Sequence, residues 1–348
     1  MPFRQSSPKL LLLILPLLVA VPLTLASVAR AQPAPKRTLL ALSKTGRTLA
    51  IVDPATLKID ATVPVGPAPH EVVASADGNT AYVSNFNGIG YPMISVVDLV
   101  RQRALPPIDT GALQETHGLA FAGGELWFTA QGSKAVARYN PAARKIDWIM
   151  GTGQDFTHML YVAPDEKHVY TANRGSGTVT IMDRFAVPSR PDEPGGASSF
   201  HWRATLIRVG RGDEGFDVSP DGKELWTANA QDHTLSVIDL VTRKVVDTIH
   251  VNIVSSNRLK FTPNGKYALV SDLHGPDLAV VDVATRKQIK QIPIGHGAAG
   301  ILMDPVGHRA FIACTPDNYI VILDLKTFKV TGRLHLGGPD GMAWAIRQ

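Results

Sequence analysis

Three histidines and two acids, His70, His117, His158, Glu214 and Asp340, share one repeated position of the sequence and are its residues best suited to chemistry. Imidazole is the commonest protein ligand for transition metals, and its charge changes near neutral pH. Neighbouring imidazoles flanked by carboxylates suit a divalent metal, or general bases that the acids orient. The two remaining repeats carry Asn257 and Ala299 at that position. A plainer alternative is a watery channel mouth that tolerates polar residues, with the histidines capping loop backbone.

A second set of polar residues is expected at the same end of the fold: Asn85, Asn87, Gln131, Asn173, Arg174, Asn229, Gln231, Asp272 and His274. Most of its asparagines read as structural, because Asn bonds its own backbone and tolerates left-handed turns. Arg174 differs, since a guanidinium beside an arc of histidines suits an anionic ligand.

The elements that must position these residues follow from a longer register. Seven apolar strands end in Asp53, Asp98, Asn140, Asp183, Asp239, Asp282 and Asp324, at spacings of 45, 42, 43, 56, 43 and 42 residues. That is the period of a four-stranded propeller blade. Residues 234–251 (TLSVIDLVTRKVVDTIHV) read as two strands of alternating side chains joined by a polar turn, and residues 216–229 (FDVSPDGKELWTAN) as two more. The C-terminal GMAWAI matches only a first strand and the N-terminal TLLALS only a second. Together they predict an all-β, seven-bladed β-propeller of four-stranded antiparallel blades over residues 37–348, closed by N- and C-terminal strands sharing one blade. Closure removes the sheet edges that would template aggregation. Loops entering the innermost strands converge on the channel, which puts the histidines at its mouth.

Residues 1–31 stand outside that pattern. Arg4 and Lys9 precede an apolar run at 10–25, and Ala29-Arg30-Ala31 offers the small residues a signal peptidase reads. The run is short for a span and broken by Pro16 and Pro22, so a cleaved signal peptide is expected, then a disordered lead at 32–36, in a periplasmic or secreted protein with no membrane span after cleavage. The chain is +5 overall, and about +2 without Arg4, Lys9 and Arg30. That weak charge and the scattered aromatics argue against nucleic acid. The single cysteine, Cys314, lies in an apolar strand and reads as a small buried hydrophobe; a monomer is expected.

The strand endings YVSN (82–85), YTAN (170–173) and WTAN (226–229), following turns such as SPDG (219–222), resemble the YVTN-type β-propeller repeat of exported proteins. The resemblance covers nearly all of the chain after residue 31, and implies the propeller fold with a surface-layer-like, binding or lactonase-like role. The sequence departs from it at residues 122–124, where AGG replaces the turn, and in the fourth repeat, where about 13 extra residues lie within 184–203. That Pro-, Gly- and Ser-rich insertion is expected to be a mobile loop joining the third and fourth strands of its blade.

Other chemistry lacks its context. Gly151-Thr152-Gly153 and Gly210-Arg211-Gly212 precede no helix, as a phosphate cradle requires, and there is no Cys-x-x-Cys-His site for covalent haem. The expected function is therefore a binding module with a small-molecule or metal site at the mouth, formed by His70, His117 and His158 with Glu214, Asp340, Arg174 and Asn257. The alternatives are a lactonase-like hydrolase using a histidine as general base, or a scaffold for a protein partner.

Overall fold

The computed structural model describes residues 1–3, 36–86, 88, 90–188 and 199–347. Apart from its first three residues the expected signal peptide lies outside these residues, as do Asn87 and nearly all of the lead. Lys36 is the exception, because it opens the first strand and pairs with Arg347.

Strands β1 (Lys36–Ser43), β2 (Thr48–Val52) and β3 (Ile59–Pro64) form the first blade, whose fourth strand arrives from the far end of the chain. The second blade is β4 (Pro69–Ala74), β5 (Thr80–Asn85), β6 (Met93–Asp98) and β7 (Arg103–Asp109). The third is β8 (Thr116–Ala122), β9 (Glu125–Ala130), β10 (Ala135–Asn140) and β11 (Lys145–Gly151). The fourth is β12 (Thr157–Val162), β13 (His168–Asn173), β14 (Thr178–Val187) and β15 (Ser199–Arg208). The fifth holds β16 (Asp213–Val218), β17 (Glu224–Asn229), β18 (Thr234–Asp239) and β19 (Lys244–His250). The sixth holds β20 (Ser256–Phe261), β21 (Tyr267–Asp272), β22 (Asp277–Asp282) and β23 (Lys287–Pro293). The seventh is β24 (Ala298–Met303), β25 (Arg309–Cys314), β26 (Tyr319–Asp324) and β27 (Val330–His335), and β28 (Pro339–Arg347) closes the ring on β1. The molecule is a seven-bladed β-propeller, as the register predicts.

The strand-end residues have a local cause. Side-chain oxygens of Asp53, Asp98, Asn140, Asp239, Asp282 and Asp324 each accept a backbone N–H two or three residues on, which folds the turn between third and fourth strands. Asp183 is different because its hairpin continues past it. There β14 and β15 stay paired out to Val187 and Ser199, so part of the insertion is a ribbon rather than a loop. Asp183 instead accepts both terminal nitrogens of Arg243 from the fifth blade, at 2.5 and 2.9 Å. Residues 189–198 of the insertion lie outside the described residues.

Second strands are buried on both faces because a blade packs against a neighbour on each side, so YVSN, YTAN and WTAN contain few charges. Between the fifth and sixth blades Trp226, Leu235 and Val237 meet Leu259, Phe261 and Val281, with Trp226 and Phe261 edge-to-face at 5.3 Å. Burial of each such side chain contributes about 1.5–3 kcal/mol. Cys314 belongs to this packing. It is fully buried in β25, and burial, with Asp317 nearby, pushes its thiol up to about 12, far from a nucleophile's range.

Candidate functional site

Every innermost strand begins with a bulge. Pairing skips from Pro69 to Val72 in β4, from Thr116 to Leu119 in β8, from Thr157 to Leu160 in β12 and from Asp213 to Phe216 in β16. It does the same from Ser256 to Leu259 in β20, across Ala299 in β24 and across Asp340-Gly341 in β28. All seven aligned positions therefore sit in bulges, where a side chain is freed from strand alternation and re-aimed. Hydroxyls of the second strands satisfy the bulge backbone: Ser84, Thr129 and Ser271 accept the N–H groups of Glu71, Gly118 and Arg258. This is a physical role for the Ser/Thr in the YVSN-type endings.

The three histidines form an arc. Ring centroids of His70 and His117 lie 4.4 Å apart and those of His117 and His158 3.7 Å apart, with Phe86 edge-on to His117 at 5.2 Å. Two couples flank the arc. His70 Nδ1 lies 2.5 Å from Asp340 Oδ2, and His158 Nε2 lies 2.9 Å from Glu214 Oε1. His117 is fully buried, and neither of its ring nitrogens has a protein hydrogen-bond partner; His158 Nδ1 is likewise buried and unpartnered. Such buried polar atoms cost about 1–3 kcal/mol each when left unsatisfied.

Charges around the arc come in three pairs. Lys44 Nζ lies 2.6 Å from Asp340, Arg174 pairs with Glu214, and Arg258 pairs with Glu71. Burial, then the other two histidines, Arg258 and Lys44, hold the His117 imidazole well below its ordinary range. His158 is lowered by burial first and then by Arg258, His70 and Arg174. Burial works to raise the Asp340 carboxyl, but His70 and Lys44 outweigh it and bring it down to about 2. His117 and His158 therefore present neutral imidazoles, the form in which histidine binds a metal or accepts a proton.

Six of the seven aligned residues are polar, and five of them, His70, His117, His158, Glu214 and Asp340, meet around the arc. Asn257 instead braces two blades by donating from Nδ2 to the Ala298 carbonyl, 3.2 Å away. In the second ring Asn85, Asn173 and Asn229 are fully buried and bond within their own blades, as turn residues do. Arg174 reaches the arc, paired with Glu214.

Three contributors escaped the sequence reading. Glu71 and Arg258 each follow an aligned residue, where regular alternation would point them away from the mouth; the bulge overrides that. Lys44 follows β1 as Arg174 follows β13, each donating its N–H to a residue just before an innermost strand, so the second-strand register is the signal that identifies it.

No protein-family model matches the chain, and no curated protein matches it in sequence. Solved structures do match in shape. A candidate 6-phosphogluconolactonase from Bacteroides uniformis superposes with a TM-score of 0.72 at 16% identity, covering 90% of this chain and 100% of its own. Hydrazine synthase of Kuenenia stuttgartiensis gives 0.68 at 16% identity, covering 82% of this chain and 92% of its own. The dihydro-heme d1 dehydrogenase NirN gives 0.58 at 14% identity, covering 88% of this chain and 74% of its own. At these identities the likeness establishes the propeller fold and nothing finer. Among the described residues no helix is long and apolar enough to cross a membrane.

Proposed function

We propose that this propeller is an exported binding module whose ligand seats on the histidine arc at the channel mouth. One observation carries the reading: the fully buried His117 has two ring nitrogens and no protein partner for either. A fold that desolvates a polar ring without satisfying it favours a ligand that does so. In a thermal-shift screen of divalent metals and small organic acids, sugars and lactones, at least one compound is expected to raise the midpoint of the wild-type protein. His117→Gln should abolish that shift. A screen that moves neither protein, or both equally, would remove the site.

The couples His70–Asp340 and His158–Glu214 favour hydrolysis as a second reading, because a carboxylate that orients an imidazole is the arrangement of a general base. The lactones in the same screen separate the two readings by turnover. Export is part of the proposal and is supported by Arg4, Lys9, the apolar run at 10–25 and Ala29-Arg30-Ala31. Protein recovered from a periplasmic or culture fraction is expected to have a mass beginning at Gln32. A mass that includes Met1 would refute the cleavage.

A further inference from the structure

We propose that His70, Glu71 and His117 form a site for one divalent first-row transition-metal ion. This rests on the ligand-binding reading of the same mouth and goes beyond it in naming the ligand's class and a carboxylate that the aligned position does not contain.

Donor atoms of His70, Glu71 and His117 all lie within 4.8 Å of one another. Small side-chain rotations bring that to the roughly 3.3 Å edge of a tetrahedron built on 2.0 Å bonds. His70 and Glu71 are consecutive in sequence, and on a regular strand they would face opposite sides of the sheet. Both serve one site because the bulge between Pro69 and Val72 turns them the same way.

Each donor has an atom to give. Asp340 engages His70 Nδ1, which leaves Nε2 for the ion, in the manner of a carboxylate–histidine–metal relay. Glu71 uses Oε1 for Arg258, and no hydrogen bond among the described residues uses Oε2. His117 has both nitrogens to offer. Imidazole and a single carboxylate suit zinc, cobalt, nickel or copper, whereas calcium needs six to eight oxygens. Lys44, Arg174 and Arg258 oppose a cation here, but each sits against its own carboxylate, so the repulsion is offset at close range.

The test uses untagged protein stripped by chelator, loaded with Co²⁺ or Zn²⁺, and read by elemental analysis and by the visible absorption of bound cobalt. Wild type and His201→Ala, a change at an exposed histidine far from the mouth in sequence, should each hold about one equivalent after desalting. Glu71→Gln keeps an oxygen for Arg258, should preserve the circular dichroism spectrum, and should weaken binding at least ~10-fold. His117→Gln should do the same. Absence of retained metal in wild type, or binding that Glu71→Gln leaves unchanged, overturns the inference. If organic ligands still shift wild type and not His117→Gln while no metal is retained, the metal site falls and the binding reading stands.

Discussion

Replacing Arg258 by methionine is expected to lower the stability of the ring by about 3–5 kcal/mol, the usual cost of leaving one member of a buried ion pair alone. Arg258 is 7% exposed and comes from β20, yet its partner Glu71 comes from β4, 187 residues away in sequence. The pair links the second and sixth blades for a reason found in the residue after each aligned position. That residue is glycine in the first, third, fifth and seventh blades, Gly341, Gly118, Gly215 and Gly300, and Glu71, Met159 or Arg258 in the other three. Glycine is required at Gly118 and Gly341 by close approach: a Cβ there would stand 2.6 Å from the His158 carbonyl and 2.4 Å from that of His70. The innermost strands thus press together at four blades; of the other three residues Glu71 and Arg258 pair with each other, and Met159 packs against the core between the fourth and fifth blades. Arg258 donates from Nε to the Ala299 carbonyl at 2.8 Å and faces the Glu71, Asp340 and Glu214 charges, which outweigh its burial and keep it firmly protonated.

Without the guanidinium, Glu71 Oε1 loses its hydrogen-bond partner. Glu71→Gln should cost less, below about 2 kcal/mol, because its amide oxygen still accepts from Arg258. Urea midpoints of both single variants and of the double Glu71→Gln/Arg258→Met variant would measure the coupling. A non-additive term of at least about 1.5 kcal/mol is expected. Additive effects would show that the pair contributes no more than its separate packing.

The second large effect is expected at Asp304, where the ring closes. Its carboxylate is 1% exposed and accepts from Arg37 of β1 at 2.6 Å and from Arg309 of β25 at 3.0 Å. Arg37 also lies over the Trp344 ring at 4.4 Å, and Trp344 donates to the Met303 carbonyl at 2.8 Å. Asp304 therefore joins the seventh blade to β1, and Trp344 joins it to β28. Asp304→Asn should destabilise by about 3 kcal/mol near neutral pH, since two part-buried guanidinium groups lose their counter-charge.

The pH dependence follows from the sign of its shift. Burial works to raise the Asp304 carboxyl, but Arg37 and Arg309 prevail and hold it below the ordinary 3.8. A carboxyl whose folded value is depressed stabilises fully above its unfolded value, and that contribution is lost as pH falls through the folded value. The difference in urea midpoint between wild type and Asp304→Asn should therefore hold from pH 7 to about 5 and shrink below about 4. A difference that stays constant down to pH 3 would show that the carboxylate charge is not what closes the ring.

Asp53, Asp98, Asp239, Asp282 and Asp324 were legible because each acts on backbone within three residues, leaving a periodic trace. His70, His117, His158, Glu214 and Asp340 were legible as a set for a related reason, since a fixed distance from a turn places each at the start of an innermost strand. Asn257 occupied the same position and proved to be a brace, because register places a residue at a level of the channel without saying what its polar atoms meet. Arg174 was read as an anion contact, and the structure shows its guanidinium against Glu214.

The sequence by itself determined the number of blades, their strand order, the shared blade at closure and the ring of residues that enters the channel. All of these rest on short-range chemistry, namely alternation, turn formation and repetition. Only the tertiary structure decided that Glu71 and Arg258 meet, that Lys44 joins His70 and Asp340, and that His117 is sealed from the protein's own hydrogen bonds. Those outcomes depend on seven bulges that override strand alternation, and on glycines that set how closely the blades approach. Neither contribution is local to the residues that end up in contact.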